Sequence, residues 1–457
     1  MADRRVLVSN RAELVGHGES ELRGLVLDLA EVALAALSPE AGLERCVSVD
    51  GPRLCVAGRT YDLSGYERIE VLGAGKASTA LALGLERLLG GWLTGGLVVV
   101  PRRPTEAPER IELIEADHPV PSPASVAAGE ALFARAQGLG EADLAICIFT
   151  GGSSALACMP APGISAEDKI VLHRLLLSSP MSIVEINTVR KHTSAMKGGR
   201  LARALSPATI LNLSVSDVVG DPLDCITDLT VQDTTTAADA LSVLESHDLT
   251  ATVPPSVVAH LRSSPDAQSP SLEGIDIESV LVTRGRDGSD AVVAAARARG
   301  LRGVRLGEQI EGEASTVGRL LATLARGSRL GIGPFERGSV LVACGGECTV
   351  SLGTDGRDLF GRGGPSQEAA VGAALAIDAV DGVVGLFMDT DGSDGGTPVA
   401  GAIVDHSTSD RAAASGIDLR RAMLAHDTGA ALRSLADAVV TGLTQTNAND
   451  LVIFAIG

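Results

Sequence analysis

Glycine-rich turns carrying lysine, hydroxyl and acidic residues recur along this chain, and those residue types can bind an anion and activate a hydroxyl. Gly73-Ala-Gly-Lys-Ala-Ser78 follows a short apolar run. A glycine turn that opens a helix offers backbone N–H groups to an anion, and Lys76 adds a full positive charge. The turn is not a Walker loop, because Glu70 and Ala77 stand where that motif needs glycine and a hydroxyl residue. It also fails as a dinucleotide fingerprint, because Ser78 takes the third glycine position. The plainer reading is a strand-to-helix turn with a solvated lysine. Thr150-Gly-Gly-Ser-Ser-Ala155 follows another apolar run. Gly151 and Gly152 let the backbone approach a ligand, and Ser153 and Ser154 can donate hydrogen bonds, as in an anion-binding nest. The alternative is a capped, tight turn. Ser153 is disfavoured as an acyl-transfer nucleophile because Gly-x-Ser-x-Gly is absent.

Arg190, Lys191, Lys197 and Arg200 form a basic island around His192 that could hold a carboxylate or phosphate. A solvated helix face is the competing explanation. Asp217 follows the apolar run Ile210–Leu213, at the end of a strand where open α/β sheets bind ligands. It could deprotonate a hydroxyl or hold magnesium, or merely cap a turn. Cys344-Gly-Gly-Glu347 and Asp389-Thr-Asp-Gly-Ser-Asp394 also follow apolar runs, Gly361–Glu368 opens a helical stretch, and Thr444–Asp450 precedes the last apolar run. The acidic stretch is not a calcium loop, since its twelfth position is Ala400. Each loop alone is weak. Together, at the carboxyl ends of expected strands, they predict one shared cleft.

The elements that must position these residues alternate. Ile69–Leu72, Leu97–Val100, Leu144–Phe149 and Ile210–Val215 read as strands, with helices over Ser78–Leu89 and Ser125–Gln137. Ser279–Thr283, Gly303–Leu306, Val340–Ala343, Gly385–Met388 and Leu451–Ile456 continue the strands, with a helix over Asp290–Arg299. Strand–helix alternation predicts an α/β fold of two domains, each a mainly parallel sheet flanked by helices. The Pro-, Ser- and Asp-rich stretch Val253–Gly274 reads as a linker or surface excursion, which places the domains at 1–270 and 271–457. The 457 residues are 45% hydrophobic, enough for a substantial core, and carry a net charge of −19. That charge, with only 2% aromatics, disfavours a nucleic-acid partner. No membrane-spanning run or signal segment is evident, so a cytoplasmic protein is expected. The seven scattered cysteines read as reduced thiols.

With these motifs assembled, the chain resembles the glycerate 2-kinase family (class II glycerate kinases), over nearly its whole length. The matching segments are GAGKAS (73–78), HPVPSPAS (118–125), TGGSSAL (150–156), NTVRKHTSAMKGGRLA (187–202), SDVVGDPLD (216–224), GRGGPSQE (361–368), DTDGSDG (389–395) and TGLTQTNANDL (441–451). The C-terminal part resembles a MOFRL-type domain. The resemblance implies two α/β domains with the active site in the interdomain cleft, and ATP-dependent phosphorylation of the 2-hydroxyl of D-glycerate or a related small hydroxy acid. It implies catalytic roles for Lys76, Asp217 and Arg362, with Lys76 and Arg362 stabilising charge on the transferring phosphoryl group. Substrate contacts fall on Ser153, Ser154, Arg190, Lys191 and Asp228. Nucleotide contacts fall on Gly73, Gly75, Gly151, Gly152, Gly345, Gly346, Glu347 and Asn447. Magnesium falls on Asp217, Asp389 and Asp391. ATP, Mg²⁺ and a small hydroxy acid are the expected ligands; homo-oligomerisation is left open.

Departures from the family pattern cluster in these loops. Ile226-Thr-Asp-Leu-Thr230 replaces the usual Ile-Ala-Ser-Gly-Pro-Thr and brings in Asp228. Ser122, Ser153, Ser366, Leu443 and Gln445 stand where the family usually has other residues. Altered specificity, lost activity and ordinary drift all remain open on sequence alone. A hydroxypyruvate reductase is the competing enzyme, disfavoured by the broken dinucleotide fingerprint. A non-catalytic relative is the third reading.

Overall fold

The structure, a computed structural model, describes residues 7–216, 218–263, 268–351 and 362–457. Asp217 lies outside the described residues. The chain divides into two compact units that are discontinuous in sequence. One holds Gly42–Ser216 and Asp221–Val282; the other holds the described residues up to Ala41, Val218–Gly220 and those from Thr283 to Gly457. The sequence pattern places a single boundary at 270/271; the chain passes between the units at 41/42 and 282/283, and briefly at 217–220.

The first unit is built on a six-stranded sheet, in the order Ile111–Glu115, Gly95–Val100, Arg68–Ala74, Asp143–Phe149, Thr209–Val215, Ile277–Thr283. The four pairings from Ile111–Glu115 across to Thr209–Val215 are parallel. Central strands are buried along their length, apart from the exposed Arg68 at the start of one, because each pleat face is covered. Val71, Val98, Ile146 and Leu211 pack on one side with Leu81 and Leu85 of helix Ser78–Leu89. Leu72, Val99, Cys147 and Ile210 pack on the other with Leu132 of helix Pro123–Gln137. Ser122 caps that helix, accepting from the N–H groups of Ala124 and Ser125. Chain order reverses between Arg68–Ala74 and Asp143–Phe149, a topological switch point. The two strands end side by side, and the turns that follow them are Gly73–Ser78 and Thr150–Ser154.

Part of the expected linker is ordered structure. Pro255–Ser263 is a helix whose Val257 and Leu261, one turn apart, are fully buried beside Leu172, Val189 and Leu244. Its prolines and serines mark the helix start rather than a disordered connection.

The second unit corrects one expectation. Its six-stranded sheet runs Arg302–Gly307, Ser339–Gly346, Asp450–Ile456, Val383–Asp389, Gly401–Asp405, Ala438–Val439. Only the first pairing is parallel; the other four are antiparallel. The sheet is mixed, not mainly parallel. Helices cover both faces, so the central strands read as apolar runs whatever their direction. Ala314–Arg329 and Pro365–Ile377 cover one face, where Phe387 and Phe454 meet edge-on at 5.5 Å.

Helix Ser20–Ala36 packs Val26, Leu27, Ala30 and Leu34 against Val340, Leu386 and Ile453 on the other face. This joins the N-terminal stretch to the C-terminal sheet. Arg23 on that helix is fully buried and bridges Asp405 and Asp437, also fully buried. Arg23→Met leaves Asp405 without its cation and is expected to cost ~3–5 kcal/mol, read as a lower urea midpoint at neutral pH.

Candidate active site

The switch-point turns of the first unit are locked together. Lys76 N–H donates to the Gly151 carbonyl at 2.9 Å, and Ala77 N–H to Thr150 Oγ1 at 3.1 Å. A Cβ on Gly75 would stand 2.0 Å from Thr150 Oγ1, so glycine is required there by the neighbouring turn. Gly75 N–H donates to the Val99 carbonyl and Ser78 N–H to the Gly75 carbonyl. The N–H groups of residues 75–78 are therefore spent inside the protein. The nest expected at Gly73–Ser78 is closed, and that turn presents an exposed lysine side chain instead.

The open nest is the other turn. Among the described residues, the N–H groups of Gly151, Gly152 and Ser154 have no acceptor. Gly152 has φ +89°, a left-handed conformation that turns the loop sharply. A Cβ there would meet His118 Cδ2 at 2.8 Å and Lys76 Cγ at 3.4 Å, so His118 and Lys76 flank the loop. Ser153 is buried, and its N–H is bound to the Thr150 carbonyl. Ser154 Oγ accepts from Lys197 Nζ at 2.8 Å.

Arg190 lies on helix Ile183–His192, which starts with a Ser182–Glu185 capping box. It is buried, its Nε has no partner, and no carboxylate lies within ion-pair distance among the described residues. Burial pulls its pKa down, with Asp228 acting in the other direction; a guanidinium nonetheless stays charged. A buried charge is costly without a counter-charge, so this guanidinium is suited to receive an anion. His118 feels both Lys76 and Arg190. Loss of solvent, then those two cations, hold its pKa down at about 4, which leaves a neutral imidazole at pH 7.

Lys191, expected as a substrate contact, is ion-paired within the protein. Its Nζ is 2.9 Å from Asp224 Oδ2 and 3.3 Å from Asp233 Oδ1. His192 is likewise held by Thr235 and Asp233. Asp228 grips Lys197 Nζ through both oxygens, at 2.8 and 2.7 Å.

Sequence reading missed His118 as a separate candidate, and it missed two groups beneath Arg190. Lys169 is fully buried and bonds Thr193 O and Oγ1, with its ammonium pKa lowered by burial to about 7. His173 is fully buried with both ring nitrogens unpartnered. The signal was present: Lys169, Leu172, His173 and Leu176 occupy one helical face, so two polar residues interrupt an apolar stripe.

In the second unit three expected loops meet at one end of its sheet. Gly345 and Gly346 end the strand Ser339–Gly346, Glu347 follows it, and Asp389 ends Val383–Asp389. Asp450 begins the antiparallel strand between them and lies directly opposite both Gly346 and Asp389. Like charges in register repel. Burial, then neighbouring acids, raises Asp389 to about 8 and Asp450 to about 7. Asp391 N–H donates to Asp389 Oδ1, and Asn447 Oδ1 accepts from Asn449 N–H. Asp394 takes both N–H groups at the start of helix Pro365–Ile377, and Ser366 Oγ donates to Asp450. Arg362 is exposed, Leu443 is exposed, and Gln445 has a positive φ. No three His, Cys, Asp or Glu side chains among the described residues form a metal cage.

The raised acids give a signed prediction. Folded-state pKa values above the unfolded ones mean the native state binds more protons, so these groups subtract stability as pH rises from about 4 to about 7 for Asp450 and to about 8 for Asp389. Asp450→Asn is expected to raise Tm at pH 8, with the gain shrinking toward zero near pH 4. A pH-independent change would show that Asp450 does not titrate as described.

Comparison with known proteins agrees with this architecture. A family model described as a domain of unknown function (DUF4147) matches residues 25–262, and the MOFRL family matches 340–450. An Agrobacterium vitis protein carrying a provisional hydroxypyruvate reductase name is 39% identical over 85% of this chain and 87% of its own. The glycerate 2-kinase of Pyrococcus horikoshii is 33% identical over 95% of this chain and 97% of its own. The crystal structure of a Thermotoga maritima glycerate kinase superposes with TM-score 0.81 at 30% identity, covering 96% of this chain and all of that one. The chain therefore belongs to the glycerate 2-kinase family, with a DUF4147 region followed by a MOFRL region.

Proposed function

We propose that this protein transfers the γ-phosphoryl group of ATP to a hydroxyl of D-glycerate or a closely related small hydroxy acid. The observation that carries this is the buried Arg190, which has no carboxylate partner among the described residues, in the same constellation as Lys76, His118 and the open Gly151–Ser154 nest. Arg190 suits a substrate carboxylate, a planar group that a guanidinium binds through two parallel bonds. Lys76 and the free N–H groups suit phosphate oxygens, whose charge must be held as the phosphoryl group passes. Relatives named glycerate kinases support the overall reaction class.

The remaining roles follow family matches. Asp217 would polarise the acceptor hydroxyl or bind magnesium, and Arg362 would add a second cation on the phosphoryl group. Gly345, Gly346, Glu347 and Asn447 would contact nucleotide. Asp389 and Asp391 fit magnesium as donors, since that ion takes one or two carboxylates and fills its shell with phosphate oxygens and water. When bound it would neutralise phosphate charge. The reductase reading is weaker. A dinucleotide pyrophosphate needs free N–H groups at its glycine turn, and those of residues 75–78 are occupied.

The test is a coupled assay on purified protein. ADP release with D-glycerate, and a 2-phosphate resonance in the phosphorus NMR spectrum of the product, is expected. NAD(P)H consumption with hydroxypyruvate, without ADP release, would reverse the assignment.

A further inference from the structure

The basic island has nearly all of its charge settled internally. Lys191 is held between Asp224 and Asp233. Arg200 Nη1 donates to the carbonyls of Lys191 and Lys197 at 3.2 and 2.8 Å. Lys197 is paired with Asp228. Arg190 is the member with no acceptor among the described residues.

Lys197 does not stand apart from the nest. Its Nζ also donates to Ser154 Oγ, on the loop that Lys76 and His118 flank. Lys197 and Asp228 are both buried, so their charges are poorly screened. Without Asp228 the Lys197 ammonium would keep only the Ser154 hydroxyl, and it would be a second anion receptor. With Asp228 in place, a second substrate carboxylate there would meet a negative charge already seated. The carboxylate belongs to the turn Ile226–Thr230, and Asp228 is 2% exposed.

We propose that Asp228 is a specificity-determining residue, which neutralises Lys197 beside the Ser154 loop and so restricts the acceptor to hydroxy acids with a single carboxylate. This rests on the kinase reading above. Specificity here comes from an element that rejects the wrong partner, not from one that grips the right one harder.

The probe is hydroxymalonate, which is glycerate with its terminal carbon oxidised to a second carboxylate. Wild-type protein is expected to release ADP with D-glycerate and to show at least ~10-fold lower kcat/KM with hydroxymalonate. Asp228→Asn, and Asp228→Ser should the first variant not fold, is expected to raise the hydroxymalonate-to-glycerate ratio at least ~10-fold. The double variant Lys197→Met with Asp228→Leu removes both charges and is expected to leave that ratio low. A purely structural ion pair would lower stability in the single variants without moving the ratio. An unmoved ratio, or equal use of both acids by the wild type, overturns the proposal while leaving the kinase reading intact. If the wild type phosphorylates neither acid, D-glycerate is not the acceptor. The charge assignment is then judged by calorimetry without nucleotide: tighter hydroxymalonate binding to Asp228→Asn than to wild type supports it, and equal binding overturns it.

Discussion

Replacing Lys76 by alanine is expected to lower kcat by at least ~10²-fold, the loss typical when one preorganised charge stabiliser is removed from a transition state. The fold should be untouched, because the side chain is exposed and the turn is held by backbone groups: Lys76 N–H to the Gly151 carbonyl, Ala77 N–H to Thr150. An unchanged Tm with collapsed turnover is the expected pair of results. Lys76→Arg keeps the charge but spreads it over a planar fork, and should recover only part of the rate. Near-normal ADP release from folded Lys76→Ala would remove this lysine from the chemistry.

Arg190→Met is expected to do two opposite things. The acceptor acid loses its buried charge partner, which costs about 10²-fold or more in kcat/KM, mostly through KM. The empty protein gains stability, because a buried guanidinium with an orphaned Nε is replaced by an apolar chain of similar length. A Tm increase of a few degrees, joined to weak D-glycerate saturation, is the signature of a residue kept for binding at the expense of the fold. If the same substitution instead lowers Tm and leaves KM alone, Arg190 is a structural residue.

How much of this was legible beforehand depends on what each residue's signal reports. Strand positions could be read because a run such as Leu144–Phe149 is apolar throughout, and helix Ser78–Leu89 begins and ends where glycine punctuation places it. Strand direction could not be read, since apolar runs covered on both faces carry no mark of parallel or antiparallel pairing. The final strand, Asp450–Ile456, inserts antiparallel between two strands that precede it by many residues.

In the site, glycines announced both switch-point turns but could not say which one was open. Gly75 is fixed by its neighbour Thr150, whereas Gly152 bends a loop whose N–H groups remain available. The basic island was visible as composition. Its internal settlement was not, because Asp224, Asp228 and Asp233 reach Lys191 and Lys197 from a segment more than 30 residues along the chain. The Asp389–Asp450 opposition depends on strand register, which local sequence leaves undefined.

The packing of helix Ser20–Ala36 on the C-terminal sheet sets an order of events at the ribosome. The helix emerges early, yet Ile453 and Ala455, part of the surface that covers it, are made about 420 residues later. At ~5–20 residues per second its oily side waits ~20–80 s for a partner. Meanwhile the stretch Gly42–Ser216 can already collapse around its own parallel sheet. Nascent chains of this protein should therefore engage holdase chaperones through residues 20–36, and chains truncated before the last strand should be recovered mainly in the insoluble fraction.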